Sequence, residues 1–440
     1  MRIAWFTPFN IESAIGRYSK FAAEALSEFA DVDIYVFQKD NLHKTKLNVI
    51  YFENEDVVKK LDNYDIVIYN IGDNYEYHAP IYDIAQIYRG IIINHDVCLH
   101  NFFRGYYYGH RNDVQTYQDN LKRLYGEEMA MEIVKAGDVA NKWDKLDFFK
   151  YNMSELVVLK CMAIVVHSKY HFNQISKIYN GPIENISLPD MTEFNTGSET
   201  GNVSEKPNNK INILTVGNVN YNKRIYSVIQ AIGNNHVLKE KVNYYIVGSL
   251  VAGEYVATLQ KIINDLNLNK NVHLLGVVSH DELAGHYRDA DIITNLRSPA
   301  LEGGSASLVE QMMQGKGIIV SKTGLYADLP DDCVFKIGTD NEVEELTKTL
   351  LQILDKPSLI KTRGENAKKF AQTEYSRENY GRKLYSFIKR IIFIQPIDKL
   401  VQDVGYELNN MNITKSIPIS ENIANEIEKM TYKIDAAKIG

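Results

Sequence analysis

Short apolar runs alternate with amphipathic stretches along most of the chain. "RIAWFTPF", "VDIYVF", "YDIVIYNI" and "GIIINHD" read as strands, and "RYSKFAAEALSEF" has apolar positions at helical spacing. Near-continuous apolar strands alternating with helices predict a parallel, doubly wound sheet. The rhythm breaks over 101–160, where "DVQTYQDNLKRLYGEEMAMEIVKAG" and "FFKYNMSELVVLKCMAI" read as helices. "AIVVHSKY" restores a strand, and "EFNTGSETGNVSEKPNNK" follows, polar and poor in core formers. A second series runs through "INILTVGNV", "VNYYIVGS", "VHLLGVV", "ADIITNL", "GIIVS" and "CVFKI", and helical segments follow at 341–355 and 358–373.

Two strand–helix series predict an α/β protein of two Rossmann-like domains facing a cleft. The expected boundaries are 1–195 with the helical insertion 101–160, a linker at 196–210, and a second domain at 211–375. A helix at 376–393 is expected to pack back on the first domain. In the tail, 394–440, Ile423, Ile427, Met430 and Ile434 form an amphipathic stripe. Packing on its own chain is the first reading of that stripe, and an oligomer contact the second.

Composition removes several classes. The chain has 440 residues, is 45% hydrophobic and carries a net charge of −7, which gives no reason to expect nucleic acid as a partner. The three cysteines, Cys98, Cys161 and Cys333, are far apart and read as buried thiols rather than a disulfide or zinc framework. "MRIAWFTPF" enters a strand without a signal-peptide core, and no apolar run approaches the roughly 20 residues that span a bilayer. A cytoplasmic protein is expected, with peripheral membrane contact left open.

Ligands of open α/β sheets bind at the carboxyl ends of strands, so four strand-to-helix corners matter. In "TPFNIESAIGRYSKF", Gly16 is expected just before a helix starting near Arg17, where close backbone approach and free amides suit an anion or nothing at all. In "IIINHDVCLH", His95 follows a buried strand and is read either as a reaction-centre group or as a satisfied structural histidine. In "LTVGNVNYNKRIYSVIQAI", Lys223 and Arg224 suit a diphosphate, with a solvated basic pair as the alternative. In "NLRSPALEGGSASLVEQMMQGKG", a helix is expected from about Ser305 to Gln314, capped by Ser305 or Ser307 and closed by Gly315. Glu302 precedes it and Glu310 lies within it. Eight helical positions span roughly 12 Å, too far for a carboxylate pair acting on one bond. The amides of Gly303, Gly304 and Ser305 between them suit phosphate.

Together these residues resemble the retaining GT-B glycosyltransferases of family 4, over roughly residues 1–392. The E-x7-E pattern of Glu302 and Glu310 is the most specific element. "SAIGRYSKFAAEAL", "NHDVCLH" and "VGNVNYNKR" are similar to the family's glycine loop, His-Asp corner and phosphate segment, and "YNIGDNYEYH" resembles a bacterial branch acting on polysaccharides or protein-linked glycans. The resemblance implies transfer of a sugar from a nucleoside-diphosphate sugar to an acceptor hydroxyl with retention. It implies no required cofactor or metal, UDP-sugar favoured over GDP-sugar, and a glycan, lipid-linked or protein acceptor. Glu302 would bind donor-sugar hydroxyls, Glu310 the ribose, Lys223 the diphosphate, His95 the reaction centre, and Gly16 would admit the donor phosphate or acceptor. Two departures stand out: Asn218 replaces a common arginine, for which Arg224 is expected to compensate, and Ile15-Gly16 replaces a glycine pair. A non-catalytic sugar-nucleotide-binding subunit is the alternative. A nicotinamide enzyme is disfavoured because no GxGxxG follows the first strand.

Overall fold

The computed structural model describes residues 1–53, 55–137, 150–159, 161–192, 210–250 and 253–410. Two parallel sheets form the frame. The first has seven strands: β1 (Arg2–Phe6), β2 (Asp31–Val36), β3 (Asn48–Tyr51), β4 (Ile66–Ile71), β5 (Ile91–Asn94), β6 (Ala163–Val166) and β7 (Ile183–Asn185). Their order is β3-β2-β1-β4-β5-β6-β7. The second has β8 (Ile211–Val216), β9 (Val242–Val247), β10 (Val272–Gly276), β11 (Ile292–Asn295), β12 (Gly317–Ser321) and β13 (Phe335–Ile337), ordered β10-β9-β8-β11-β12-β13. Helices cover both faces, so the central strands are wholly buried and mostly apolar, as in β4, β5 and β12. In each sheet the strand order reverses beside the first strand, which opens a crevice at the carboxyl edge.

Several elements differ from the sequence expectation. The first strand ends at Phe6, and the following helix spans Ala14–Leu26 rather than starting near Arg17. Ser13 caps it by accepting the Gly16 amide, so Gly16 lies in the first turn. Of the helix expected in "FFKYNMSELVVLKCMAI", the described residues hold only Glu155–Val158. A helix at Tyr75–Ile87, capped by Asn74, was hidden by Pro80 in its interior. The final helix runs through Arg377–Asn410, past the expected boundary at 393. It packs on Ala14–Leu26: a Cβ at Gly381 would collide with the Ala25 carbonyl, and the Tyr18 and Tyr380 hydroxyls hydrogen-bond. Most of the linker and the stripe from Ile423 to Ile434 lie outside the described residues. The three cysteines are free and buried. No described helix is long and apolar enough to cross a membrane.

The insertion sends several aromatic side chains into the first-domain core. Tyr82, Phe102, Phe103 and Tyr106 stack edge to face, and Tyr117 hydrogen-bonds His100. Such aromatic clusters bury large areas and add orientation-dependent contacts.

Candidate active site

The carboxyl ends of the two sheets meet. The loop after β5 and the loop after β11 form a short antiparallel bridge in which Asp96 faces Glu302. Val97 N donates to Leu301 O at 3.0 Å, and Gly303 N donates to His95 O at 2.9 Å. A cleft of about 360 Å³ opens beside the bridge, with Tyr18, His95, Asp96 and His167 on one wall and Glu302, Ser305 and Ser307 on the other.

On the second-domain wall, Glu302 is held by two donors to one oxygen: Arg297 Nε at 3.1 Å and the Tyr326 hydroxyl at 2.7 Å. Lys223 sits in a short 3-10 turn and is buried, its Nζ donating to Val216 O at 2.6 Å. Gly217, at φ 106°, leaves room for that ammonium: an added Cβ would lie 2.6 Å from Nζ. Burial, and then the nearby Arg297 guanidinium, push Lys223 down to about 7, partly opposed by Glu302. Ser305 caps the helix Ala306–Met313 by accepting the Leu308 amide, and Gly315 follows its end at φ 68°. Glu310 faces Arg17 of the first domain at 4.0 Å, and burial raises its carboxyl above the usual range.

Arg224 does not join this group. Its left-handed backbone, φ 55°, turns the guanidinium to Glu342 Oε2 at 2.8 Å and the Tyr226 hydroxyl at 2.6 Å. The second cation whose charge acts on Lys223 is Arg297, two positions beyond β11, and not Arg224.

The first-domain wall is built from buried groups whose partners are mostly neutral. His95 Nε2 meets Asn70 Oδ1 at 3.0 Å, and Nδ1 meets His167 Nε2 at 3.2 Å. Asn70 Nδ2 donates to Phe6 O, which fixes its oxygen toward His95. His167 Nδ1 donates to Ile186 O at 2.9 Å. Both outer partners are acceptors, so the ring protons sit on His95 Nε2 and His167 Nδ1 when the rings are neutral. Burial, and then His167, push His95 well below the ordinary histidine range; burial pushes His78 and His167 to about 4 and His171 to about 3. His95 thus lines the cleft with its Nε2 proton given to Asn70 and an unprotonated Nδ1 facing the unprotonated His167 Nε2, its ring edge-on to Tyr18 at 4.6 Å. Burial raises Asp96 to about 6, with Glu302 adding to the rise and the Asp73 amide opposing it. Asp73 itself rises to about 7, through burial and then Asp96.

The glycines of the opening pattern are close-approach positions. A Cβ at Gly303 would strike His171 Nδ1 and His95 O, and one at Gly304 would lie 2.9 Å from His167 and Leu188 atoms. The Gly303 amide is already bonded to His95 O, so it does not face the cleft as a free donor. Gly16 likewise gives its amide to Ser13, and its bare Cα lets the Pro8 and Asn10 carbonyls pack against the helix.

The structure therefore brings together His95, Lys223, Glu302, Gly303, Gly304 and Ser305, with Glu310 at one side and Arg224 elsewhere. Sequence reasoning gave no role to Arg297, Asp96, His167 or Tyr326. The signal for the first three was their place just after β11, β5 and β6. Among the described residues, no group of three or more His, Cys, Asp or Glu side chains could hold a metal ion.

Residues 198–370 match the sequence model described as "Glycosyl transferases group 1". An uncharacterized glycosyltransferase of Methanocaldococcus jannaschii is 23% identical over 399 residues, covering 87% of this chain and 95% of its own. An alpha-monoglucosyldiacylglycerol synthase of Acholeplasma laidlawii is 24% identical over 192 residues, 44% of this chain and 45% of its own. Among solved structures, Anabaena HepE in complex with UDP and glucose superposes with TM-score 0.57 at 13% identity, over 89% of this chain and all of HepE (100%). A glycosyltransferase of Rickettsia africae gives TM-score 0.60 at 15% identity, over 89% and 98%. The fold is GT-B, and the matches support a GT-B glycosyltransferase.

Proposed function

We propose that this protein is a retaining glycosyltransferase of family 4. It moves a sugar from a nucleoside-diphosphate sugar to an acceptor hydroxyl in bacterial surface polysaccharide or protein-glycan synthesis. The carrying observation is Lys223, buried against the Val216 carbonyl beside Arg297, with Glu302 and the capped helix start at Ser305 on the same wall. A departing diphosphate needs fixed positive charge in a water-poor cleft, and two cations and a helix start supply it. Glu302, held by Arg297 and Tyr326, presents its remaining oxygen to sugar hydroxyls. Glu310 holds the ribose. The UDP complex of HepE favours a uridine donor, and the glycolipid synthase relative makes a lipid-linked acceptor reasonable beside glycan and protein.

A donor screen tests this reading. UDP-, GDP- and dTDP-sugars are mixed with the protein, and thermal shift and release of nucleoside diphosphate are measured. A uridine donor should raise the melting temperature and be slowly hydrolysed. A protein inert to every donor would overturn the reading.

A further inference from the structure

Lys223 meets a diphosphate only if its turn holds it over the end of β8, and one residue joins that turn to the helix behind it. This inference rests on the proposed role of Lys223 in holding the donor. Arg224 ends the 3-10 turn Tyr221–Lys223, its amide donating to Tyr221 O at 3.1 Å. It also opens the helix Ile225–Gly233, its carbonyl accepting from Ser227 N at 3.0 Å. Both bonds are made with its backbone at φ 55° and ψ 29°, in the left-handed region. Glycine adopts that conformation freely, whereas the Cβ of an arginine crowds the following carbonyl.

The offset comes from 118 positions away. Glu342 Oε2 accepts from Arg224 Nε at 2.8 Å and from the Ser227 hydroxyl. Arg224 NH2 donates to the Tyr226 hydroxyl at 2.6 Å, and the guanidinium lies 4.7 Å from the centre of the Tyr226 ring. Glu342 is 4% exposed and begins the helix Glu342–Asp355. That helix shares an apolar core with Ile225–Gly233, through Leu346 and Leu350 on one side and Val228 and Ile229 on the other. The carboxylate is therefore anchored independently of the turn. A buried ion pair adds little net stability, because desolvation opposes its attraction. What this pair supplies is a fixed geometry. The turn also accepts Ser298 N at Asn222 O, 2.9 Å, which couples it to the loop carrying Arg297 and Glu302.

We propose that Glu342 is a positioning residue for donor binding. It clamps Arg224 in the left-handed conformation and so sets the turn that aims the Lys223 ammonium at the diphosphate. The clamp acts through Lys223 rather than by contact with the donor.

The test measures UDP affinity by calorimetry on the full-length protein, with the melting temperature alongside. Arg224→Ala and Arg224→Gly both remove the ion pair and differ by one Cβ. Alanine should weaken UDP binding by about 5- to 30-fold, the left-handed penalty of an L-residue expressed as an affinity. Glycine should bind within about threefold of wild type. Glu342→Gln keeps the shape and removes the charge, and should weaken binding as Arg224→Ala does. Adding Arg224→Gly to it should restore affinity. A role in stability alone would lower the melting temperature of these variants and leave affinity unchanged. In a Lys223→Met background, Glu342→Gln should cost no further affinity, because the residue it positions is gone. Equal affinity in the alanine and glycine variants would overturn the assignment. So would unchanged affinity in Glu342→Gln, or a further loss in the Lys223→Met background. If Arg224→Ala does not fold, Glu342→Gln and its combination with Arg224→Gly decide alone. Wild-type protein without affinity for UDP, or normal UDP binding by Lys223→Met, would instead overturn the placement of the diphosphate, and this assignment with it.

Discussion

The two walls that meet at the Asp96–Glu302 bridge are built on the same kind of strand end but treat charge in opposite ways. On the first-domain wall, burial holds His78, His95 and His167 neutral and raises the Asp73 and Asp96 carboxyls. The partners there are neutral: Asn70, a carbonyl and backbone amides. On the second-domain wall, Glu302 has Arg297, and Lys223 lies within the field of both. Parallel-sheet topology places both walls, but it does not decide their chemistry. Counter-charge does. Where burial comes with neutral partners, pKa values move toward neutrality and proton transfer becomes available. Where it comes with opposite charge, ions persist and an anion can be held.

The sharpest way to break that contrast is to neutralise the charged wall. Glu302→Gln should lower kcat by about 100- to 1000-fold, the range for losing a positioned electrostatic group. Near-normal turnover would remove Glu302 from the mechanism. Lys223→Met comes next. A charge-assisted hydrogen bond is worth about 1.5–3 kcal/mol, so UDP affinity measured by calorimetry should weaken by about 10- to 100-fold. Unchanged affinity would place the diphosphate elsewhere.

A third prediction uses a residue of the charged wall that burial shifts as it shifts the first-domain wall. Lys223 is pushed to about 7 by burial, with Arg297 adding to the fall. A bound diphosphate favours its cationic form and moves the value back up. Binding UDP above pH 7 should therefore take up a proton, and affinity should fall as pH rises past 7, by at most about tenfold per unit. Calorimetry in buffers of different ionisation enthalpy measures the uptake. In Lys223→Met the uptake should disappear.

These contrasts explain what could be read from the chain beforehand. The buried strands were legible because each is a continuous apolar run, as in "GIIVS" and "AIVV". The edge strands Asn48–Tyr51 and Ile183–Asn185 are short and half-exposed, and carry no such run. Glu302, Lys223 and His95 were legible as strand-end residues with chemistry. Arg297 also follows a strand end, but its value comes from Lys223, 74 positions earlier, by 297 − 223. Arg224 misled for the same reason: a left-handed turn sends it to Glu342, 118 residues away. Local pattern marks a corner, but only the convergence of distant strand ends decides which side chains share it.

The smallest expected effect concerns the contact that spans the two walls away from the bridge. Arg17, on the first-domain helix, has its NH1 4.0 Å from Glu310 Oε2, and its NH2 donates to Met191 O at 2.8 Å. Arg17 is 37% exposed at its side chain, and exposed pairs at this separation contribute about 0–1 kcal/mol. Arg17→Gln should leave the melting temperature within about 2 °C and change UDP affinity less than about fivefold. Any effect should shrink as salt is raised, because screening acts on exposed charges first. A loss as large as that of Lys223→Met would mean that Arg17 holds the donor itself. The phosphate-binding charge would then be shared between the walls, and the division between a proton-handling wall and an anion-holding wall would fail at that point.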